Sequence, residues 1–252
     1  MTAVVGVLCR DGVVIGTDSS ATFTQYVGPG TLSRTIEQRI DKLDVLADRI
    51  VVAGTGAIGL GQRFCGVVKD AWQKRVFTKT EMDVCMHLST KMIDNMRATH
   101  LKPGQYGALV AFPANKALHL CEFQLVDFQP ELKTERLWYC SIGSTQPITD
   151  PFLALMREFF WQDGLPSLHE GVFAATWTLD HAIKVNPGGV NGPVQIATLE
   201  RTTGGSPRVR RFDDDDLQEH RQSIEDAKEL LRDYRKKHAT PDLQDVPDVP
   251  QP

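Results

Sequence analysis

Short, nearly unbroken apolar runs open this chain, and they read as strands rather than as helical stripes. Residues 3–9 (AVVGVLC) and 13–17 (VVIGT) flank Asp11-Gly12. An Asp-Gly pair between two apolar runs is a strong hairpin signal, because both residues tolerate the left-handed backbone of a tight turn. Residues 19–39 are polar and contain glycine, which predicts a long loop. Two further runs, 43–46 and 50–53, meet at Asp48-Arg49 and predict a second hairpin. A glycine-rich stretch, 54–61, then changes the period. From about Leu60 to Lys74, Phe64, Val67, Val68 and Trp72 recur at helical spacing. Thr80 is placed to cap a second helix with Met82, Cys85, Met86, Ile93 and Met96 on its apolar side, ended by Lys102-Pro103-Gly104.

Strand-like runs return at 106–112, 117–124 and 137–141. Asp150-Pro151 reads as an N-cap followed by proline at the first helical position, predicting a third helix to about Trp161. Residues 168–184 predict a fourth helix, and 194–199 and 209–212 the last strands. The order is four strands, two helices, three strands, two helices, two strands. A parallel doubly wound sheet alternates single helices with single strands, so this order points to antiparallel sheets covered by helix layers. Beyond Phe212 the character changes. Asp213–Asp216 is an acidic run that complements a helix start, and Arg235-Lys236-Lys237-His238 closes the helix with positive charge. Its stripe of Ile224, Ala227, Leu230, Leu231 and Tyr234 packs either on the body or on a neighbouring subunit. Residues 239–252, rich in proline and aspartate, are expected to be disordered. The divisions are thus 1–212, 213–238 and 239–252.

Composition removes several classes of function. The net charge of −4 lacks the basic excess of a nucleic-acid binder, and no apolar run approaches the roughly 18 residues of a membrane span. The opening MTAVVGVLCRDG has no basic region or cleavage site, so no signal peptide is expected. The five cysteines are scattered without C-x-x-C, which fits a reducing cytoplasm and argues against a disulfide framework or a cysteine-zinc site. The seven histidines lack metal-hydrolase spacing, and no cofactor is expected.

Several candidates for chemistry remain. Gly54-Thr55-Gly56-Ala57-Ile58-Gly59 matches G-x-G-x-x-G between a strand and a helix. A dinucleotide site also needs a second strand ending in a carboxylate about 20 residues on. Residues 74–79 (KRVFTK) are short, basic and lack it. The glycines instead suit close backbone approach or exposed N–H groups at a helix start. Thr2 follows Met1, and removal of Met1 leaves an amine beside a hydroxyl. A hydroxyl needs a base, and an α-amine of pKa about 7.7–8.0 can serve through a water. Asp18, within DSSAT, and Lys42, after Asp41, are bland singly, as a loop cap and an edge residue. As a buried pair they put fixed positive charge beside a nucleophile and favour its ionised form. Ser144, within SIGS, is either a turn serine or a hydroxyl that holds the amine and its water.

In combination these segments resemble a proteasome β subunit. The elements are T-x-x-x-G from Thr2 to Gly6, DGVVIGTDSSAT from Asp11, KLDVLADRIVVAGTG from Lys42, and Ile142-Gly143-Ser144, where Thr145 replaces the last glycine of the family's G-S-G turn. The order of elements agrees along most of residues 2–212. The resemblance implies the N-terminal-nucleophile hydrolase fold of the proteasome β/HslV superfamily. That is an α+β, four-layer αββα sandwich of two antiparallel sheets between helix layers, here with an extra helix after residue 212. It implies Thr2 as nucleophile with its own amine as base, Asp18 and Lys42 around its hydroxyl, the Gly56 N–H as oxyanion donor, and Ser144 supporting the amine. Substrate would lie extended between Ala21–Thr22 and Gly54–Gly56, with Gly54, Ala21 and Ile58 lining the first specificity pocket. The family's late aspartate and serine are absent from Lys184-Val185-Asn186-Pro187-Gly188-Gly189, as they are from the bacterial HslV peptidase.

With Met1 alone before Thr2 and a helical extension after the body, the chain looks most like the bacterial self-assembling relatives. Among them are Anbu and the beta-proteobacterial proteasome homologue, with the balance toward the latter. The expected function is a cytoplasmic threonine endopeptidase acting on peptide or unfolded protein. The expected assembly is two stacked seven-membered rings of one chain, with an unfoldase partner conceivable and neither nucleic acid nor membrane involved. Two rivals stand beside it: a small-molecule amidase or transpeptidase on the same fold, and an assembly protein that has lost useful activity.

Overall fold

The computed structural model describes residues 1–26, 32–162, 164–186 and 189–238, with backbone alone for 22–26 and 32–37. Among the described residues three sheets form, all antiparallel. The first runs β10-β1-β2-β11-β12, built from β1 (Ala3–Leu8), β2 (Gly12–Thr17), β10 (Tyr139–Gly143), β11 (Gln195–Arg201) and β12 (Pro207–Phe212). The second runs in chain order through β5 (Leu43–Leu46), β6 (Ile50–Gly56), β7 (Tyr106–Ala114), β8 (Ala117–Phe123) and β9 (Pro130–Leu132). The third is a two-stranded ribbon, β3 (Ser20–Tyr26) with β4 (Leu32–Arg39). The helices are α1 (Ile58–Gln73), α2 (Glu81–Arg97), α3 (Gln146–Phe160), α4 (Leu168–Val185) and α5 (Gln218–His238).

The unbroken apolar strands follow from burial on both faces. Along β1, Ala3, Val5 and Val7 point toward α3 and α4, whereas Val4 points into the space between the large sheets. Along β6, Ile50 and Val52 face α1 and α2, whereas Val51 and Ala53 face the first sheet. The inter-sheet layer joins Val4, Val13 and Ile15 to Leu109, Ala111 and Leu120. Helices on both outer faces complete the αββα sandwich, and the dinucleotide βαβ unit has no place in it.

Several expectations need correction. The stretch expected as one long loop, 19–39, holds two strands, β3 (Ser20–Tyr26) and β4 (Leu32–Arg39), paired in register from Ser20↔Arg39; residues 27–31 lie outside the described residues. Thr22, Phe23, Thr24 and Tyr26 are good strand formers, and alternation with polar residues hides them from a search for apolar runs. A short strand, β9, was not foreseen. The third helix starts before Asp150-Pro151, at Gln146 with Thr145 as its N-cap residue, and Pro151 lies inside it. Asp150 instead accepts hydrogen bonds from Ser141 Oγ and Gln146 Nε2, tying α3 to β10. On α2, Thr80 does cap, accepting from the Asp83 N–H at 3.3 Å. Met82 and Met86, however, are exposed, and the buried stripe is Val84, Cys85, Leu88, Met92 and Met96. That helix ends at Arg97, before Lys102-Pro103-Gly104. On α5, Ile224 is buried, but Leu230, Leu231 and Tyr234 stay exposed. The expected tail, 239–252, lies outside the described residues.

Candidate active site

Thr2 lies at the end of the sandwich where β1 begins. Gly143, at the end of the neighbouring β10, has φ +109°, and a side chain there would strike the Thr2 carbonyl. The next two residues fasten that carbonyl: Ser144 Oγ and Thr145 Oγ1 each donate to Thr2 O at 3.4 Å. Ser144 Oγ also accepts from the Thr2 N–H at 3.1 Å. With Met1 attached, this nitrogen is an amide, and Thr2 Oγ1 donates to Met1 O at 2.8 Å.

Asp18 follows β2 and is fully buried. Its Oδ1 accepts from Lys42 Nζ at 2.7 Å and from the Ala3 N–H at 3.0 Å, and its Oδ2 accepts from the Ser20 N–H at 3.0 Å. The carboxylate therefore joins the start of β1, the start of β3 and the lysine just before β5. The Lys42 side chain is only 7% exposed, and its ammonium lies 3.5 Å from both Thr2 Oγ1 and Met1 O. A buried charge is tolerated when paired and hydrogen-bonded, and this arrangement meets both conditions.

A residue that sequence reasoning missed holds this lysine in place. Gln195, the first residue of β11, donates to Ile40 O at 2.8 Å and accepts from the Lys42 N–H at 2.9 Å. It anchors residues 40–42 against the first sheet. Its only signal was a polar side chain opening an apolar strand, which is common and unspecific.

Thr2 and Lys42 border a cleft of about 290 Å³ that also includes Ala21, Gly54, Gly56, Ile58 and Tyr106. Gly56 has φ +109°, and a Cβ there would collide with the Gln105 carbonyl, so the turn into α1 requires glycine. Gly54 lies directly over the Tyr106 hydroxyl. Burial pushes the Tyr106 phenol far above its ordinary range, so it stays neutral. Of the residues singled out in the sequence, Thr2, Lys42, Ala21, Gly54, Gly56 and Ile58 line one cleft, Asp18 lies behind it, and Ser144 touches Thr2 from the side. The side chain of Thr22 is outside the described residues. The cysteines offer no rival nucleophile. All five are buried, and burial, followed by Asp44, pushes the Cys65 thiol up to about 12.

Three solved structures share this frame. Anbu from Hyphomicrobium sp. strain MC1 aligns over 95% of this chain and 99% of its own, at TM-score 0.67 and 14% identity. A structure described as the helical assembly of the Anbu complex from Pseudomonas aeruginosa aligns over 95% and 98%, at 0.64 and 15%. Anbu (ancestral beta-subunit) from Yersinia bercovieri aligns over 96% and 100%, at 0.67 and 12%. At these identities the likeness is one of fold. No curated protein matches the sequence. The family model for the proteasome subunit matches residues 2–154, more than half of the chain and the part that carries Thr2, Asp18, Lys42, Gly56 and Ser144. The chain belongs to the proteasome subunit family.

Proposed function

We propose that this chain is a threonine-type peptidase subunit that acts once Met1 has been removed. The observation that carries the reading is the Thr2 hydroxyl 3.5 Å from a Lys42 ammonium, itself fixed at 2.7 Å by buried Asp18, at the edge of a cleft. An ammonium at that distance stabilises negative charge developing on Oγ1. Loss of Met1 exposes the cleft's nucleophile and converts the Thr2 nitrogen into an amine. The hydroxyl then attacks a peptide carbonyl and passes its proton, through a water held by Ser144, to that amine. The Gly56 N–H takes the oxyanion. Collapse releases the amine product, which receives the proton, and leaves an ester on Thr2. Water, deprotonated by the same amine, hydrolyses the ester and restores the hydroxyl. Ala21, Gly54 and Ile58 contact the side chain on the acyl side of the cleaved bond. The substrate pairs as an added strand between Ala21–Thr22 and Gly54–Gly56.

The chain also self-associates in this reading, as a stacked double ring that encloses its sites. The self-association is supported by the fold shared with a protein whose structure is described as a helical assembly, and the ring form is read from the sequence resemblance alone. Peptide hydrolysis by purified wild type and Thr2→Ala tests the peptidase reading. Wild-type rates rise with pH as the amine, of pKa about 7.7–8.0, loses its proton, and Thr2→Ala abolishes turnover. Equal rates in the two proteins would overturn it.

A further inference from the structure

At the opposite end of the sandwich, among the turns β5–β6, β7–β8 and β11–β12 and the link from α1 to α2, lies a second cleft of about 610 Å³. Its rim carries Arg49, Arg75, Lys116 and Arg201, with Trp72 and Phe77 as its aromatic part, and no carboxylate lines it. None of those four cations joins an ion pair among the described residues. Arg75 and Lys116 occupy left-handed backbone, φ +57° and +60°, where glycine is the usual occupant. Arg201 is held by the carbonyls of Lys116 and Gly205, so its guanidinium is fixed in advance. The cleft is thus a preset cationic, aromatic site unrelated to Thr2.

Residues 239–252 have a matching pattern. From Pro241 they read PDL-QDV-PDV-PQP, a triplet in which Asp242, Asp245 and Asp248 recur every third residue, and Leu243, Val246 and Val249 do likewise. In a left-handed polyproline helix, with three residues per turn, such a triplet gives one acidic edge, one aliphatic edge and one proline-rich edge. Proline-rich segments dock on exposed aromatic faces, and Trp72 is half-buried beside the basic rim. The segment contains no lysine or arginine, so charge complementarity is complete.

We propose that this cleft receives residues 241–250 from a second copy of the chain, the aspartates meeting the basic rim and the prolines Trp72. The second copy is required by direction. Helix α4 starts at the turn end, where the Leu168 N–H donates to Asp11, and α5 runs alongside it the same way. His220 lies against His169, and Lys228 lies near Asp180 and His181. Running this way, α5 (Gln218–His238) carries residue 238 away from the cleft, and every residue from Glu229 onward is exposed. The inference rests on self-association.

The test co-expresses two full-length copies. Copy one carries a photo-crosslinking residue at Val246 and the substitutions Arg75→Glu and Lys116→Glu. Copy two has an intact cleft and a distinguishing tag. Irradiation should join the copies through residues 72–78 or 113–117 of copy two, and copy one alone should give no such product. Replacing Asp242, Asp245 and Asp248 by Asn in copy one should reduce the yield about tenfold. Equal crosslinking in copy one alone, products elsewhere on the body, or indifference to the aspartates would overturn the proposal. So would saturable binding of inorganic triphosphate to the cleft without any crosslink, which would assign the site to a small anion. Sedimentation of the same samples separates the two ideas: assembled protein without the crosslink refutes the docking alone, and monomeric protein refutes the self-association beneath it.

Discussion

Asp18 does more than neutralise Lys42. It also takes two backbone N–H groups, from Ala3 and Ser20, so its loss leaves a buried ammonium and two donors without their acceptor. Asp18→Ala should therefore cost about 3–5 kcal/mol, the range for breaking a buried pair. Lys42→Ala should cost less, because the remaining carboxylate keeps both amide donors. Urea unfolding of the two variants checks the order, and a larger loss for Lys42→Ala would contradict it. In the proposed reaction Gln195 acts as a positioning residue. Gln195→Leu removes both restraints on residues 40–42, and kcat should fall while the unfolding free energy drops only by the roughly 1–3 kcal/mol of lost hydrogen bonds. A rate change without any effect on kcat, confined to KM, would assign Gln195 to the substrate path instead. The contrast between Asp18 and Gln195 shows what sequence carries at this scale. Asp18 and Lys42 stand in strings whose order is distinctive. Gln195 acts through distance in space from a residue 153 positions earlier, and one polar side chain at a strand start says nothing about that partner.

Helix α5 rests on α4 through a histidine pair, His169 and His220, with ring centroids 4.5 Å apart. Burial first, then the neighbouring His169, holds His220 below its ordinary value of 6.5. The unfolded chain therefore binds a proton on this residue at a pH where the folded chain does not. Its stabilising contribution is complete above about pH 6.5 and is lost as pH falls through the folded value. Hydrogen exchange in α5 should accelerate as the pH drops from about 7 toward 5, after correction for intrinsic rates, and His220→Phe should flatten the dependence. Protection unchanged over that range would contradict the account. The elements themselves were legible to unequal degrees. Strands buried on two faces read as continuous apolar runs, and β1, β2, β6 and β7 stand out on that ground. The β3–β4 ribbon, alternating polar and apolar, was invisible to the same criterion. Asp150-Pro151 mimicked a helix start because that pair is the usual cap and first-turn signal, but Pro151 lies inside α3, where it withholds one backbone hydrogen bond, and Asp150 is engaged by Ser141 instead. The outer half of α5 carries a stripe that no described residue covers, a distinction that periodicity cannot make.

The two ends of the sandwich have different characters. One end gathers Thr2, Lys42 and the glycine turn of Gly54–Gly56 around a small cleft, and the other presents a larger basic one. The layered core between them is apolar and continuous, which fixes the two ends relative to each other through rigid strands. Family and fold were accessible from the sequence because four motifs recur in order along one sandwich. The proposed chemistry depends on something else, the covalent state of the Thr2 nitrogen. With Met1 in place, that nitrogen is an amide donor to Ser144 and the hydroxyl is bound to the Met1 carbonyl. The most direct test is the intact mass of the protein before and after exposure to a peptide epoxyketone, which reacts with a hydroxyl and a free amine together. The account predicts loss of Met1 followed by one adduct per chain, mapped to Thr2 and absent from Thr2→Ala. Protein that has lost Met1, is assembled and still forms no adduct, or an adduct that persists in Thr2→Ala, would contradict it.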